Sequence, residues 1–187
     1  MTPPVTVEGD ERLRLFLALE LPDDVSEALD SWAARDLSGV RRVDRHHVTL
    51  AFLGARPARD LEPILDALRA AARAARPAPL EIARYRETRS VAMLVLDDRS
   101  GAASALASDL HARLEGLGVY RREARPWLPH VTVARFRERP RLSPPLPDVG
   151  AFTPSAAAAF LSRLHPSGAR YEVLESCPLR VAESGEE

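Results

Sequence analysis

The segment PHVTV at residues 129–133 decides the fold of this chain, together with an earlier copy, HVTL, at residues 47–50. In each copy the histidine and the threonine stand two positions apart, so they share one face of a β-strand while the apolar residues share the other. With five histidines in the chain, chance gives roughly 0.15 His-x-Thr pairs, so two copies among apolar residues are not accidental. The sequence therefore predicts two strands that each present a histidine and a hydroxyl group, from His47, Thr49, His130 and Thr132.

A strand and a helix precede each copy of the motif. Before the first copy, alternating apolar residues at 13–20 predict a strand, and apolar residues spaced by three and four at 23–35 predict a helix. The second copy follows a strand at 91–97 and a helix at 102–117 in the same order. Because a helix covers one side of each antiparallel sheet, the side with the histidine and threonine is left to face its twin.

This repeat predicts an α+β, bilobal fold, in which two pseudo-symmetric antiparallel sheets with outer helices surround a central cleft. A chain of 187 residues is long enough to bury its own core as one domain. We expect that domain to span residues 1–187, with lobes roughly at 12–90 and 91–180 and a tail at 181–187. The proline-rich loop from Pro140 to Pro147 is long enough to form a rim of the cleft.

The charge balance excludes a general affinity for long nucleic acid. The 26 basic residues, all of them arginine, oppose 27 acidic residues, which leaves a net charge of −1. Any anion must therefore be held locally, and a single arginine is weak evidence of function. The lone Cys177 allows no internal disulfide, and no apolar stretch reaches the roughly 18 residues of a membrane span. Since residues 1–14 do not resemble a signal peptide either, we expect a soluble, cytoplasmic protein.

Two histidines with two threonines suit displacement at phosphorus. A histidine has an unperturbed pKa of about 6.5, so one ring of a pair can be neutral while the other is protonated. The entering and leaving oxygens lie on opposite sides of the phosphorus atom, which requires a base and an acid that face each other. Threonine hydroxyls add neutral hydrogen bonds to the phosphate oxygens.

Other interpretations of the histidines fit the sequence less well. Zinc needs a third ligand, and His46 points to the other strand face, so a metal site is disfavoured. A serine-histidine-aspartate triad lacks its nucleophile elbow, and two matched copies argue against histidines that only fill the core. His111 lies off the apolar stripe of its helix and is expected to face solvent, and His165 is expected to be a turn residue.

Four segments, in order, resemble the two-histidine (2H) phosphoesterases, most closely the RNA 2′,3′-cyclic phosphodiesterases, also called 2′-5′ RNA ligases. They are RLFLALELP at 14–22, HVTLAFLG at 47–54, RPWLPHVTVAR at 125–135 and SRLHPSGARY at 162–171. The resemblance implies hydrolysis of a terminal 2′,3′-cyclic phosphate to a 2′-phosphate, without metal or other cofactor. It implies that His130 is the base acting on water and His47 the acid on the leaving 3′ oxygen. Thr49 and Thr132 would hold the non-bridging oxygens.

Two further residues match the family pattern but conflict with strand alternation. Arg135 matches an arginine that the family uses at the phosphate, yet it stands five positions after His130, and Phe52 has the same relation to His47. If both strands bulge or end early, Arg135 reaches the phosphate and Phe52 a nucleobase. If alternation holds, both residues are structural.

The resemblance also leaves the reaction open. The chain departs from the family pattern at His46 and at SCPL, residues 176–179. Reversible 2′-5′ joining of RNA ends, or a non-catalytic module that binds RNA ends or nucleotides, are the alternatives to hydrolysis. In each case we expect an RNA end or a nucleoside 2′,3′-cyclic phosphate as the partner, no membrane, and a monomeric chain.

Overall fold

The computed structural model describes residues 11–166 and 168–179, which form an alternation of strands and helices close to the predicted order. The elements are β1 (Arg12–Glu20), α1 (Asp23–Asp36), β2 (Arg41–Arg42), β3 (His47–Pro57), a short 3₁₀ helix (Ala58–Asp60), α2 (Leu61–Ala74), β4 (Leu80–Glu87), β5 (Val91–Asp97), α3 (Ala102–Gly116), β6 (His130–Arg135), β7 (Ala151–Phe152), β8 (Ala156–Arg163) and β9 (Arg170–Pro178). None of the helices in the described ranges is long and apolar enough to cross a membrane.

All strands of the described residues belong to one antiparallel sheet. Their order is β7-β4-β5-β6-β3-β1-β8-β9, and β2 pairs with β6 beside this path. The two motif strands, β3 and β6, are neighbours at the centre, and the residue pair that joins them is Val48 and Val131. The α+β class and the antiparallel arrangement are confirmed, with the two predicted sheets joined into one at this central pair.

Each lobe of the sheet contains strands from both halves of the sequence. We call β3, β1, β8 and β9 the first lobe, and β6, β2, β5, β4 and β7 the second. The repeated units are present as the pairs β1–β3 and β5–β6. However, β4 pairs with β5 in the second lobe, and the closing hairpin β8–β9 lies beside β1 in the first. The expected boundary between residues 90 and 91 therefore falls at a hairpin within one lobe, so the lobes differ from the two halves of the sequence.

The main core lies between the sheet and the three helices. On β1, Leu15, Leu17 and Leu19 face this core and are at most 2% exposed. Burial of each such leucine stabilises the fold by about 1.5–3 kcal/mol. The alternate residues Phe16 and Ala18 are equally buried but belong to a separate cluster with Ala158 and Phe160. The first lobe thus has apolar side chains on both faces, and the second face is the one that carries the motif histidine.

Candidate active site

The pairing of the two central strands brings the four motif residues together. Because Val48 lies opposite Val131 in an antiparallel pair, His47 stands opposite Thr132 and Thr49 opposite His130. The two valines are almost fully buried, so the four polar residues occupy the other face, where each is partly exposed. We call this the histidine face. The two histidines are diagonal neighbours across the strands, for which the expected spacing of the backbones is roughly 7–8 Å, so both side chains can reach one phosphate group.

Both histidine rings are oriented by the same backbone contact. His47 Nδ1 lies 3.2 Å from the carbonyl oxygen of Arg45, and His130 Nδ1 lies 2.8 Å from that of Leu128. A carbonyl oxygen can only accept, so Nδ1 carries the hydrogen in each ring and donates it. The Nε2 atom of each neutral ring therefore holds the lone pair that can take a proton from a reactant.

His47 lies among aromatic rings of the first lobe. Its ring centroid is 5.1 Å from that of Phe16, 6.0 Å from Phe160 and 5.7 Å from Tyr171, which meets it edge-on. The pKa of His47 is lowered to about 4, mainly by this burial and also by the positive charges of Arg45 and Arg135, while the hydrogen bond to the Arg45 carbonyl opposes the shift. His47 is therefore neutral at pH 7.

A bulge in β3 turns Phe52 onto the histidine face. Along β1, Ala18 faces Thr49 and Phe16 faces Phe52, so β3 contains one more residue than β1 between these two pairs. The residues between Thr49 and Phe52, Leu50 and Ala51, are both buried in the main core. Because of the extra residue, Phe52 lies on the same face as His47 and Thr49. Its side chain is 64% exposed, and its ring centroid lies 5.6 Å from that of Phe16.

The second motif strand has the same irregularity at the corresponding position. On β5, Met93 faces Thr132 and Val91 faces Arg135, so β6 gains one residue relative to β5. Val133 and Ala134 are both buried in the main core, and Arg135 is exposed on the histidine face. Of the two possibilities left open by strand alternation, the structure has the bulge in both strands. What Phe52 and Arg135 bind there stays a prediction.

Two side chains to which the sequence assigned no part in the site hold the β3 bulge. His111 of α3 donates from Nε2 to the Leu50 carbonyl at 2.7 Å, and Trp127 donates from Nε1 to the Thr49 carbonyl at 3.0 Å. His111 is 5% exposed, so the expectation that it faces solvent is wrong. The reason is that α3 packs against β3, and a bulged strand leaves carbonyl groups that need a donor. In β6 the Val133 carbonyl accepts from the Val43 backbone at 3.1 Å instead.

His46, which precedes the first motif, is separated from this site. It is 6% exposed on the opposite face, and its Nδ1 lies 3.6 Å from Asp30 of α1. Burial lowers its pKa. Among residues 11–166 and 168–179, no three His, Cys, Asp or Glu side chains are grouped so that they could hold a metal ion. Metal independence stays a prediction, because it concerns the reaction.

A family model described as the 2′-5′ RNA ligase superfamily matches residues 21–163, which include both motif strands and both bulges. The chain belongs to this superfamily. A search among curated proteins gives no significant match.

Solved structures of the superfamily fold cover nearly the whole chain. LigT of E. coli in its apo form is 25% identical with a TM-score of 0.74, over 91% of this chain and 99% of LigT. The protein TT0787 of Thermus thermophilus is 30% identical with a TM-score of 0.73, over 91% and 100% of the two chains. A protein described as a phosphoesterase is 25% identical with a TM-score of 0.75, over 90% and 99%. LigT in complex with ATP matches at 25% identity and a TM-score of 0.70, over 91% and 99%.

The resemblance to the 2H phosphoesterases is thereby confirmed at the level of the superfamily. The same comparisons support an enzyme that acts on phosphoesters. Both bulges lie inside the matched range, at equivalent places in the two motif strands.

Proposed function

We propose that this protein is an RNA 2′,3′-cyclic phosphodiesterase that hydrolyses a terminal 2′,3′-cyclic phosphate to a 2′-phosphate without a metal ion. The observation that carries the proposal is the pair of diagonal histidines on adjacent strands, each with Nδ1 bonded to a carbonyl and Nε2 left for a proton. The proposal rests on general acid–base catalysis, in which two such groups are needed on opposite sides of the phosphorus atom.

The reaction requires one proton acceptor and one proton donor. One Nε2 takes a proton from water as the water oxygen bonds to phosphorus, and the other Nε2, protonated, gives its proton to O3′ as the P–O3′ bond breaks. The P–O2′ bond remains, so the product is a 2′-phosphate with a free 3′-hydroxyl. In the unliganded protein the lowered pKa of His47 keeps its ring neutral at pH 7, which is the form that can accept a proton. We therefore assign the base to His47 and the acid to His130, which reverses the roles implied by the family resemblance.

The other residues of the histidine face supply contacts for the substrate. Thr49 and Thr132 stand beside the two histidines, where their hydroxyls can donate to the non-bridging oxygens. Arg135 adds a positive charge, which already acts on the pKa of His47. Phe52, on the same face, offers an exposed ring on which a nucleobase can stack. The similarity to LigT, described in complex with ATP, supports a nucleotide ligand.

Hydrolysis of a nucleoside 2′,3′-cyclic phosphate in the presence of a chelator tests the proposed reaction. We expect full activity with chelator, a 2′-phosphate product, and a loss of about 10²–10⁴-fold in kcat for His47→Ala and for His130→Ala. His165→Ala, which changes a histidine in the β8–β9 turn, is the matched control. Wild-type turnover in both motif variants, or activity only with added metal, would show that the proposal is wrong.

The assignment of acid and base has its own test. A substrate with sulfur in place of the 3′ bridging oxygen has a leaving group that needs no proton, because a thiol is far more acidic than an alcohol. We expect this substrate to restore most of the activity of His130→Ala and little of that of His47→Ala. The opposite pattern would return the base to His130.

Joining of RNA ends is the second candidate, favoured by the description of the family model. An RNA 5′-hydroxyl in place of water would attack the same phosphorus atom, with the same proton transfers and loss of O3′, to give a 2′-5′ linkage. Supplying a cyclic-phosphate end together with a 5′-hydroxyl end, and searching for a linked product, distinguishes joining from hydrolysis. Binding of the cyclic phosphate and the product with equal affinity, and no turnover of either kind, would indicate a non-catalytic module.

A further inference from the structure

The second lobe carries arginines on the histidine face, two strands away from the motif. Across β4, β5 and β6, Arg84 faces Val95, which faces His130, and Arg86 faces Met93, which faces Thr132. Directly opposite residues share a face, so each row begins at a motif residue and ends at an arginine. With neighbouring strands about 4.8 Å apart, the backbone of β4 lies roughly 10 Å from that of β6.

These arginines border a groove that runs along β4. It has a volume of about 840 Å³, and the segment 139–146 forms its other wall. Its basic residues are Arg84, Arg86, Arg139 and Arg141, and its acidic residue is Glu87. We call it the β4 groove. Leu146, on the wall, is 44% exposed.

The acidic group of the β4 groove is already fully used by protein contacts. The Glu87 carboxylate accepts hydrogen bonds from the Tyr85 hydroxyl, from the Arg139 guanidinium and from the backbone of Arg141 and Leu142. Although burial alone would raise its pKa, these hydrogen bonds lower it overall. Glu87 therefore neutralises Arg139 and fixes the wall, and it does not neutralise the other three arginines.

Arg84, Arg86 and Arg141 have the features expected of an anion site. All three are exposed, and within the described residues none of them forms an ion pair with a carboxylate. Arg141 has a φ of 57°, in the left-handed region that side chains other than glycine rarely adopt. The Glu87 hydrogen bond to its backbone holds it in that conformation at the groove. A chain with net charge −1 thus has a local cluster of three such positive charges around the β4 groove.

We propose that the β4 groove binds the phosphate backbone of a single-stranded RNA whose 2′,3′-cyclic end lies between His47 and His130. The inference rests on the proposed function and specifies its substrate as an RNA strand that extends over the second lobe. Positive side chains along a groove, with an exposed apolar residue on its wall, match the contacts used for single-stranded nucleic acid. The Arg84 and Arg86 rows place these two groove arginines on the sheet face that carries the motif residues.

The test compares two substrates in one pair of variants. The substrates are a nucleoside 2′,3′-cyclic phosphate and a single-stranded RNA of on the order of ten nucleotides with the same cyclic end. For Arg84→Gln/Arg86→Gln we expect kcat/KM to fall about tenfold or more on the RNA and by less than about twofold on the mononucleotide. The slope of log kcat/KM against log salt on the RNA should decrease by about 1.4, since each lost phosphate contact removes about 0.7. Arg73→Gln/Arg76→Gln, which removes the same charge from the region of α2, should change neither.

Direct binding separates failure of the groove from failure of the proposed reaction. The affinity of the RNA with a 2′-phosphate end, measured by fluorescence anisotropy, should fall in the groove variant and not in the α2 variant, whether or not the protein turns over. If wild-type protein hydrolyses neither substrate, the proposed function is wrong, and the anisotropy result alone decides the groove. Equal losses on RNA and mononucleotide, equal losses in the two variants, or no loss of RNA affinity would each overturn the inference.

Discussion

At the scale of single residues, His47 combines a position in the proposed active site with a lowered pKa. Its ring is held between the aromatic cluster of the first lobe and the positive charges of Arg45 and Arg135. If His47 is the base, the acid limb of the kcat/KM profile reports its pKa, because only the neutral ring can accept a proton. We expect that limb near pH 4 and not near the usual pKa of about 6.5.

Removal of a neighbouring charge should shift this limb in a known direction. Arg45→Gln deletes a positive charge that lowers the pKa of His47, while the Arg45 carbonyl contact stays. The acid limb should therefore move to higher pH, but remain below about 6.5 because burial is the largest cause of the shift. Arg59→Gln, in the short 3₁₀ helix that follows β3, is the control and should leave the profile unchanged. NMR titration of the His47 ring measures the same shift directly, and a limb that does not move would exclude His47 as the titrating base.

The lowered pKa also predicts how stability depends on pH. The unfolded chain binds a proton at His47 near pH 6.5, whereas the folded chain does so only near pH 4. Between these values the unfolded state holds more protons, so the free energy of unfolding should decrease as the pH falls from above 6.5 to about 4. His46 acts in the same direction. To isolate the part due to His47, the free energy of unfolding by urea is measured against pH for the wild type and for His47→Gln. The wild type should lose more stability than the variant as the pH falls, and two parallel curves of stability against pH would contradict the prediction.

At the scale of the elements, the bulges in β3 and β6 determine which side chains join the motif. Strand alternation correctly placed each threonine beside its histidine, but it placed Phe52 and Arg135 on the opposite face. The missed signal is two consecutive apolar residues after each threonine, Leu50-Ala51 and Val133-Ala134, because both residues of such a pair can be buried in one core only if the strand bulges. The donor to the Leu50 carbonyl could not be predicted, since helix periodicity does not reveal which strand lies against His111.

The β3 bulge should depend on its buried donor. In His111→Phe the ring size is nearly kept, but the Leu50 carbonyl loses its 2.7 Å hydrogen bond. A buried, unsatisfied carbonyl costs about 1–3 kcal/mol, so we expect a loss of this size in the free energy of unfolding by urea. Because the bulge orients Phe52, KM for a cyclic mononucleotide should rise more than kcat falls. His111→Gln retains a donor, so its loss of stability and its rise in KM should both be smaller than those of His111→Phe. Equal KM values in the wild type and both variants would show that His111 does not influence the site.

At the scale of the whole molecule, the order of strands was only partly visible in the sequence. The two repeated units were predicted correctly because each is local, a strand, a helix and a second strand. The β4–β5 hairpin is also local and follows from the sequence. By contrast, the placement of β8–β9 beside β1 depends on contacts between distant segments, such as the Arg69 ion pair that joins α2 to Glu175 of β9 at 2.6 Å. No local pattern specifies such pairs, so the sequence did not predict that β8 and β9 belong to the first lobe.

A ligand bound at the junction of the two lobes should stabilise the folded protein. The motif strands are paired through Val48 and Val131, beyond which β3 continues along β1 while β6 continues along β2 and β5. A phosphate held by residues of both strands would add a second connection at this point. A ligand at about 100 times its Kd stabilises the folded state by about 2.7 kcal/mol, which for a domain of this size corresponds to a rise in Tm of roughly 5–10 °C.

We therefore expect a nucleoside 2′-phosphate, the proposed product, to raise Tm by this amount, and to protect the backbone amides of both β3 and β6 from hydrogen exchange. Protection should appear on the two strands together, because a phosphate that contacts only one of them cannot link the lobes. His130→Ala removes one of the contacts that β6 makes to the phosphate and leaves those of β3, so in this variant the protection of β6 should weaken more than that of β3, and the rise in Tm should be smaller. Protection confined to one strand in the wild-type protein would mean that the two histidines do not act on the same phosphate, and would contradict the mechanism at its central point.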